Sequence, residues 1–445
     1  MFCGVSSVED VRIVEQYNVG GVIVYSSVFK DPADFLWLMS KLRGRKILLS
    51  TDHEGGQIEI IPYIFPSPGN LLLGRTDENT VRRYCKYAGE TMRHLGLNMV
   101  FAPVLDLYRA TSNSVIGYRS FGSDASVVAK MGLAAIEGYR EGGVIPCVKH
   151  FPGHGRAKED SHEELPKVTV DEKTVEEDLY PFCVAIENRV ESVMLAHIVF
   201  PALDSKPASI SHRVIHQLLR EQLRYEGLVI SDAVEMKALS KYYSADQIIT
   251  QFVDAGGDML IVSDAENVPI YVQMLKDLLD RGRLNSKQIK KALQRIDCFA
   301  RPVQGDIQQL YDAVNDCIQF SVGHLTKRKI ALVLPNSISF SKADVSHRYL
   351  PLIRDQAKRL LNAEFFEFGN IPSTEEFLFV DLIVDLKEEQ IEVHRELSER
   401  CEVVYLITRD VSLQRYFQDL NHIVTYSLSP LVMGTVFRRL SQFLT

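Results

Sequence analysis

The sequence predicts an α/β protein, a (β/α)8 barrel of the TIM type followed by a small doubly wound α/β domain of three layers. Three observations carry this expectation. Eight short apolar, β-rich runs alternate with eight longer segments of helix-compatible spacing over residues 1–300. The runs are apolar on both sides rather than alternating, as parallel strands covered by helices are. A second, shorter alternation of the same kind follows the first.

In chain order the runs are Met1–Val5, Val22–Val24, Ile47–Leu49, Val100–Val104, Val144–Val148, Val193–Leu195, Leu228–Ile230 and Met259–Val262. Between and after them lie Val8–Tyr17, Pro32–Leu42, Glu78–Leu95, Val127–Arg140, Asp171–Asn188, Ser211–Leu223, Ser244–Ala255 and Pro269–Arg281. Asp31 before Pro32, and Ser211, supply helix N-caps. Eight consecutive β/α units close most simply as a barrel. Such a barrel normally has a leader before its first strand, so residues upstream of Met1 are expected, and a peptide extending upstream of it, found by mass spectrometry, would meet that expectation.

After a helical connector near Asp306–Val322 come the runs Ile330–Leu334, Glu364–Phe368, Val380–Asp385, Val403–Thr408 and Ile423–Leu428. The expected division is a barrel over residues 1–300, a connector over 301–325 and a C-terminal domain over 326–445. That domain contains no Gly-x-Gly-x-x-Gly or Gly-Lys-Ser/Thr loop, which favours a packing or interface role over a nucleotide site.

Composition narrows the function classes. Of 445 residues, 46% are hydrophobic and 24% charged, with 26 glycines and 17 prolines, which excludes disorder, collagen and a disulfide scaffold. Fifty basic against 58 acidic residues give a net charge of −8, and the basic ones are scattered, so nucleic acid is not an expected partner. The seven cysteines are odd in number and far apart, which fits a reducing compartment. The start MFCGVSSVEDV has no basic region followed by an apolar one, and no run approaches about 20 uncharged apolar residues, so a cytoplasmic chain without a membrane partner is expected.

In a parallel barrel the chemistry gathers at the carboxyl ends of the strands. Asp52, Asp106, Lys149, His150, His197, Asp232 and Asp264 each closely follow an apolar run. Any one of them can cap a helix or satisfy a loop amide; several converging on one rim point to a site. The densest stretch is Lys149-His150-Phe151-Pro152-Gly153-His154-Gly155, followed by Asp160-Ser161-His162. The glycines beside Pro152 allow a sharp, mobile turn, and the short Asp-x-His lets the carboxylate fix an imidazole tautomer, which is the chemistry of a general acid/base. A solvated acidic loop is the alternative, because Lys158, Glu159, Glu163 and Glu164 surround the pair. Pro152-Gly153 keeps His150 and His154 off a common helix face, and His212 and His216 have no third ligand nearby, so no metal site is expected. Cys147 lies inside an apolar run and is expected to be buried.

This stretch resembles the bacterial β-N-acetylglucosaminidases of glycoside hydrolase family 3. The likeness extends to Asp52 before Glu54-Gly55-Gly56, Ala102–Asp106, Arg119-Ser120-Phe121, Ala196-His197 and Val229–Ala233 with Met236, and spans roughly Val5 to Ser263. It implies a (β/α)8 barrel, retention of anomeric configuration and no metal or organic cofactor. It also implies a substrate, terminal β-linked GlcNAc on small glycans, with peptidoglycan fragments foremost. By matching motif, Asp232 is the implied nucleophile, His162 the acid/base and Asp160 its partner, while Asp52, Arg119, Lys149 and His150 hold sugar hydroxyls. Asp106 matches a motif without an assigned role. A carboxylate that forms a glycosyl-enzyme and a second group that shuttles the proton are what retention requires. Asp77-Glu78 and Asp171-Glu172 sit where helices begin, so a substrate-assisted route is not indicated.

The chain also departs from the family pattern. Ile60 stands where an arginine is usual, with Arg75 a candidate replacement, and Ala233 stands where many relatives have a second aspartate. The small domain is shorter than the companion domain of some relatives and is expected to supply no active-site residue. Two other readings remain: another family 3 β-glycosidase or a β-glycoside phosphorylase, or a non-catalytic sugar-binding protein, which Ile60 makes plausible.

Overall fold

The computed structural model describes the chain apart from residues 110–114, 158–163, 335–349, 368–370, 372–376, 384–387, 409–410, 426–429 and 444–445, and ten single positions (306, 308, 310, 311, 313, 314, 317, 324, 326 and 327). Two units divide it: Met1–Lys30 with Leu38–Ile307, and Asp31–Trp37 with Gln308–Thr445.

The first unit is built on the eight strands β1 (Phe2–Val5), β2 (Gly21–Val24), β3 (Lys46–Ser50), β6 (Met99–Val100), β7 (Ile145–Phe151), β8 (Ser192–Leu195), β9 (Leu228–Ala233) and β10 (Met259–Val262), while β4 (His53–Gly55) and β5 (Ile58–Glu59) pair with each other and β11 (Arg301–Pro302) lies antiparallel to β3. The eight strands pair in parallel in the order β3-β2-β1-β10-β9-β8-β7-β6. The ring closes between β3 and β6, where Asn98 N and Phe101 N donate to Leu49 O and Thr51 O at 3.0 Å. The Asn98 side chain clamps the seam further, accepting from Leu49 N and donating to Ile47 O at 2.8 Å each. The expected barrel is therefore present, with a strand in each of the eight predicted runs.

These strands form because both of their faces are covered. Phe2, Leu48, Met99, Cys147, Leu228 and Met259 belong to one buried cluster inside the ring, each large side chain contributing roughly 1.5–3 kcal/mol by leaving water. Burial pushes the Cys147 thiol up to about 12, so it is inert packing, as expected. The run predicted to reach Val104 is shorter as a strand, since Pro103 has no N–H to give the ladder. Val104 retains a bridge to Lys149, and Lys149 N donates to Pro103 O at 3.2 Å, so the segment still directs the next loop across the barrel mouth.

The helices start at the residues that cap them. Asp77, Asp124 and Asp171 accept backbone N–H groups at the starts of Glu78–His94, Ala125–Glu141 and Glu172–Glu187. This accounts for both adjacent acidic pairs noted in the sequence. Ser211 accepts Val214 N at 3.1 Å, but the following segment, Arg213–Gln222, is a π-helix. Its buried residues Val214, Ile215 and Leu219 recur at spacings of four and five, which suit either winding. The helices Glu78–His94 and Ala125–Glu141 approach closely at Gly138, where a Cβ would sit 2.4 Å from Arg82 O.

At the amino-terminal end of β10, the wholly buried Asp258 carboxylate is held by Arg220 NH2 at 2.6 Å and Arg295 NH1 at 2.8 Å, and it also accepts Val229 N at 2.8 Å. Truncating it leaves two arginines facing each other without their anion. Asp258→Ala is expected to cost about 3–5 kcal/mol, read as a lower urea midpoint, with KM for a glycoside unchanged; an unaltered midpoint would show that this triad contributes nothing to stability.

The second unit is a six-stranded sheet in the order β12-β17-β16-β15-β13-β14, formed by β12 (Gln319–Ser321), β13 (Lys329–Leu334), β14 (Glu364–Glu367), β15 (Phe377–Ile383), β16 (Glu402–Ile407) and β17 (His422–Val424). All pairings are parallel except that of β12 with β17. Ile353, Met433 and Phe437, from the helices Leu350–Leu361 and Pro430–Phe443, bury one face. Ile391 and Leu397, from Glu388–Arg400, bury the other. This is the expected doubly wound, three-layer arrangement. Gln319–Ser321, expected within a helical connector, is instead an edge strand: its backbone finds partners in β17, which a short polar run does not announce.

Candidate active site

A cavity of about 310 Å³ opens at the carboxyl ends of the barrel strands. Asp52 follows β3, Lys149 and His150 end β7, Asp232 lies on β9, and Arg119 comes from the turn Gly117–Arg119 beyond β6. These five predicted site residues all line the cavity. Asp160 and His162 lie outside the described residues.

One residue without a predicted role organises the rest. The Glu54 side chain is 1% exposed and accepts a two-pronged contact from Arg119, Nε to Oε2 at 2.7 Å and NH2 to Oε1 at 2.8 Å. Lys149 Nζ lies 2.5 Å from Glu54 Oε1 and 2.6 Å from Asp52 Oδ1. Burial pushes the Glu54 carboxyl up, but Lys149 and Arg119 outweigh it and bring the value to about 2. Burial likewise works against the Lys149 ammonium, and Asp52 and Glu54 reverse the effect, holding its pKa above the ordinary value. The cluster is thus a set of fixed charges. Arg119 is further tied by NH1 to Val115 O at 3.0 Å and through its own carbonyl, which accepts Asn70 Nδ2 at 2.8 Å. The signal in the sequence was an acidic residue two positions after Asp52, beside a glycine pair.

Asp106 has a definite place. Fully buried, it accepts the backbone N–H groups of His150 at 3.2 Å and His154 at 2.6 Å, and its Oδ2 lies 2.7 Å from His150 Nδ1. Burial raises the Asp106 pKa, and contact with His150 more than reverses this, leaving it below the ordinary carboxylate value. His150 Nε2 faces Arg119 NH2 at 3.3 Å. A guanidinium can only donate, so Nε2 accepts and Nδ1 carries the proton toward Asp106. Burial drives the neighbouring His154 imidazole down to about 4, which keeps it neutral at pH 7.

Asp232 is aimed by the rigid strand β9, and its Oδ1 accepts Ala233 N at 2.8 Å. Burial raises its pKa, while His197, His150, the Ala233 N–H and Lys149 together hold it below the usual carboxylate range. It is ionised at neutral pH, the state a nucleophile needs. His197 Nε2 lies 2.9 Å from Ala233 O and its Nδ1 2.8 Å from Ser209 Oγ, so this strand-end histidine steadies the backbone next to Asp232.

Arg75 does not replace the missing arginine. It lines a separate cavity of about 280 Å³ with Leu72 and Tyr118, whereas Ile58 and Ile60 line the main one. The reason is local: Arg75 follows the short helix Asn70–Leu73, beyond the hairpin that carries Ile60. His150 is on a strand and His154 in the following loop, so their spacing of four has no helical meaning. Among the described residues, no three His, Cys, Asp or Glu side chains are grouped to hold a metal.

A barrel with an ionised aspartate, two engaged cations and an oriented imidazole at its mouth suits a neutral, hydroxyl-rich substrate. The model of the glycosyl hydrolase family 3 N-terminal domain matches residues 5–298. The chain belongs to glycosyl hydrolase family 3. It is 29% identical over 320 residues to β-hexosaminidase A of Pseudoalteromonas piscicida, which covers 64% of this chain and 54% of that protein. The chain therefore spans about half the length of that relative. A β-hexosaminidase of Thiobacillus denitrificans is 34% identical over 269 residues, 57% of this chain and 74% of its own. Among solved structures, the β-N-acetylglucosaminidase from Thermotoga maritima superposes with a TM-score of 0.89 at 33% identity, covering 98% of both chains. The Zn-bound CbsA from Thermotoga neapolitana gives 0.91 at 32% identity over 100% of this chain and 98% of that one. This family 3 protein is a glycoside hydrolase, and β-N-acetylhexosaminidase is the activity its kinship supports.

Proposed function

We propose that this family 3 chain is a cytoplasmic, retaining β-N-acetylglucosaminidase that removes terminal β-linked GlcNAc from small glycans, peptidoglycan fragments foremost, without a metal or organic cofactor. The observation that carries the reading is the ionised Asp232 on β9, opening into the same cavity as the Asp52, Glu54, Lys149, Arg119 and His150 network.

In this reading the pyranose sits with its hydroxyls on that network. Lys149 and Arg119 donate, Asp52 accepts, and His150 is kept in one tautomer by Asp106. An Asp232 oxygen attacks C1 and the bond from C1 to the leaving oxygen breaks, while His162 gives that oxygen a proton. His162 then takes a proton from water, whose oxygen attacks C1 and frees the Asp232 carboxylate. The part given to His162, partnered by Asp160, rests on the resemblance of Lys149–His162 to the family motif.

Following hydrolysis by NMR is expected to give the β-anomer first, and aryl β-glycosides that differ only at C2 are expected to be turned over fastest with the acetamido group. An α-anomer as first product would overturn the double-displacement reading. Phosphate-dependent release of a sugar phosphate would mark a phosphorylase instead.

A further inference from the structure

Building on this reading, we infer that the leaving-group side of the cavity is an apolar slot made by Ile58, Ile60, Val115 and Ile116, which selects substrates whose aglycone is uncharged beside the scissile oxygen. The lining has two parts. Ile23, Phe101, Met194 and Ile261 belong to the buried cluster inside the ring of strands. The four slot residues come from segments beyond the strand ends, on the open side of the barrel, where the part of a substrate projecting from a pocket must lie.

The slot is held in place. Ile58 lies on the two-residue strand Ile58–Glu59, Ile60 directly follows it, and both line the cavity. Glu59 between them accepts Gly56 N at 3.0 Å and Ser67 N at 2.6 Å, and Ile61 N donates to His53 Nδ1 at 3.3 Å. Gly55 has φ +92, and a Cβ there would lie 2.8 Å from Ser67. On the other segment Ile116 is 1% exposed, and the Val115 carbonyl is fixed by Arg119. Branched aliphatic chains so constrained offer no hydrogen bond to a carboxylate.

Charge points the same way. The lining holds three carboxylates, Asp52, Glu54 and Asp232, against two basic side chains, Lys149 and Arg119. Both cations are paired with Glu54, and Lys149 with Asp52 as well, so their charge is balanced by carboxylates of the same lining. Residues 110–114 carry no charge, and residues 158–163 hold one lysine against three acids, so neither stretch of sequence is net basic. A carboxylate next to the leaving oxygen would lose its hydration against isoleucine in a cavity that already holds three carboxylates.

GlcNAc-β-1,4-MurNAc places this chemistry well, because its lactyl carboxyl hangs on the carbon next to the one bearing the scissile oxygen. The test compares kcat/KM for this disaccharide as free acid and as lactyl N-methylamide, with chitobiose as the uncharged reference. The amide and chitobiose are expected to exceed the acid by about tenfold or more. Ile60→Arg is expected to bring acid and amide within about threefold of each other, chiefly through a lower KM for the acid, whereas Ile60→Gln keeps the gap. Equal turnover of acid and amide by the wild type would overturn the slot and leave the hexosaminidase reading intact, even if Ile60→Arg fails to fold. No turnover of any of the three would sink both.

Discussion

Asp232→Ala is expected to lower kcat for aryl β-N-acetylglucosaminides by about 10⁴-fold or more and to abolish covalent labelling by a 2-fluoro glycosyl inactivator. The carboxylate is ionised, fixed on a strand and lines the cavity, and among the described carboxylates of that lining it is the one not paired with Lys149 or Arg119. Glu54 and Asp52 are engaged with Lys149, and Asp106 with His150. The loss is catalytic and not structural, because deleting a half-buried carboxylate leaves no buried cation stranded; the melting temperature is expected to stay within a few degrees of wild type. Persistent labelling would place the nucleophile elsewhere. The companion His162→Ala slows poor leaving groups most, since activated phenolates depart without a proton. Equal slowing of both substrate types would remove His162 from the role of acid.

Glu54→Ala is expected to be the most damaging single change to the scaffold of the site. Its side chain is 1% exposed and neutralises Lys149 and Arg119, themselves 3% and 11% exposed. Removing one member of such a buried network leaves uncompensated charge and costs about 3–5 kcal/mol. Activity falls with it, as Arg119 and Lys149 lose the anchor that positions them. Glu54→Gln keeps one acceptor oxygen and is expected to lose less.

The same contact sets an acid limit. The Glu54 pKa is depressed from 4.5 to about 2, so its stabilisation is present above about pH 4.5 and is lost as the pH falls toward 2. From the linkage of about 1.36 kcal/mol per unit, the contribution is about 3 kcal/mol. Acid titration of the wild type and of Glu54→Gln reads it directly. Identical acid transitions in the two would show that Glu54 does not carry this dependence.

The barrel was legible because a parallel strand covered on both faces must be apolar throughout, and helix starts carry side chains that accept their first amides. Pro32–Leu42 begins and ends where the apolar spacing placed it. Less was legible where the backbone finds its partner at a distance. Gln319–Ser321 becomes a strand only because β17, about a hundred positions later, accepts it. Pro103 shortens β6 without disturbing the pattern of side chains, and the π winding of Arg213–Gln222 buries residues that an α-helix would also bury.

The site divides in the same way. Residue type and place after a strand were enough to nominate Asp52, Lys149, His150 and Asp232, because the carboxyl ends of barrel strands meet at one mouth whatever the loops do. The tertiary structure decided which charges pair. Glu54 gains its role from Arg119, 65 positions away, Asp106 from His150, 44 positions away, and Arg75 is diverted into a different cavity. A sequence encodes its hydrophobic period locally, whereas a buried ion pair exists only when two distant segments have already been brought together and dried.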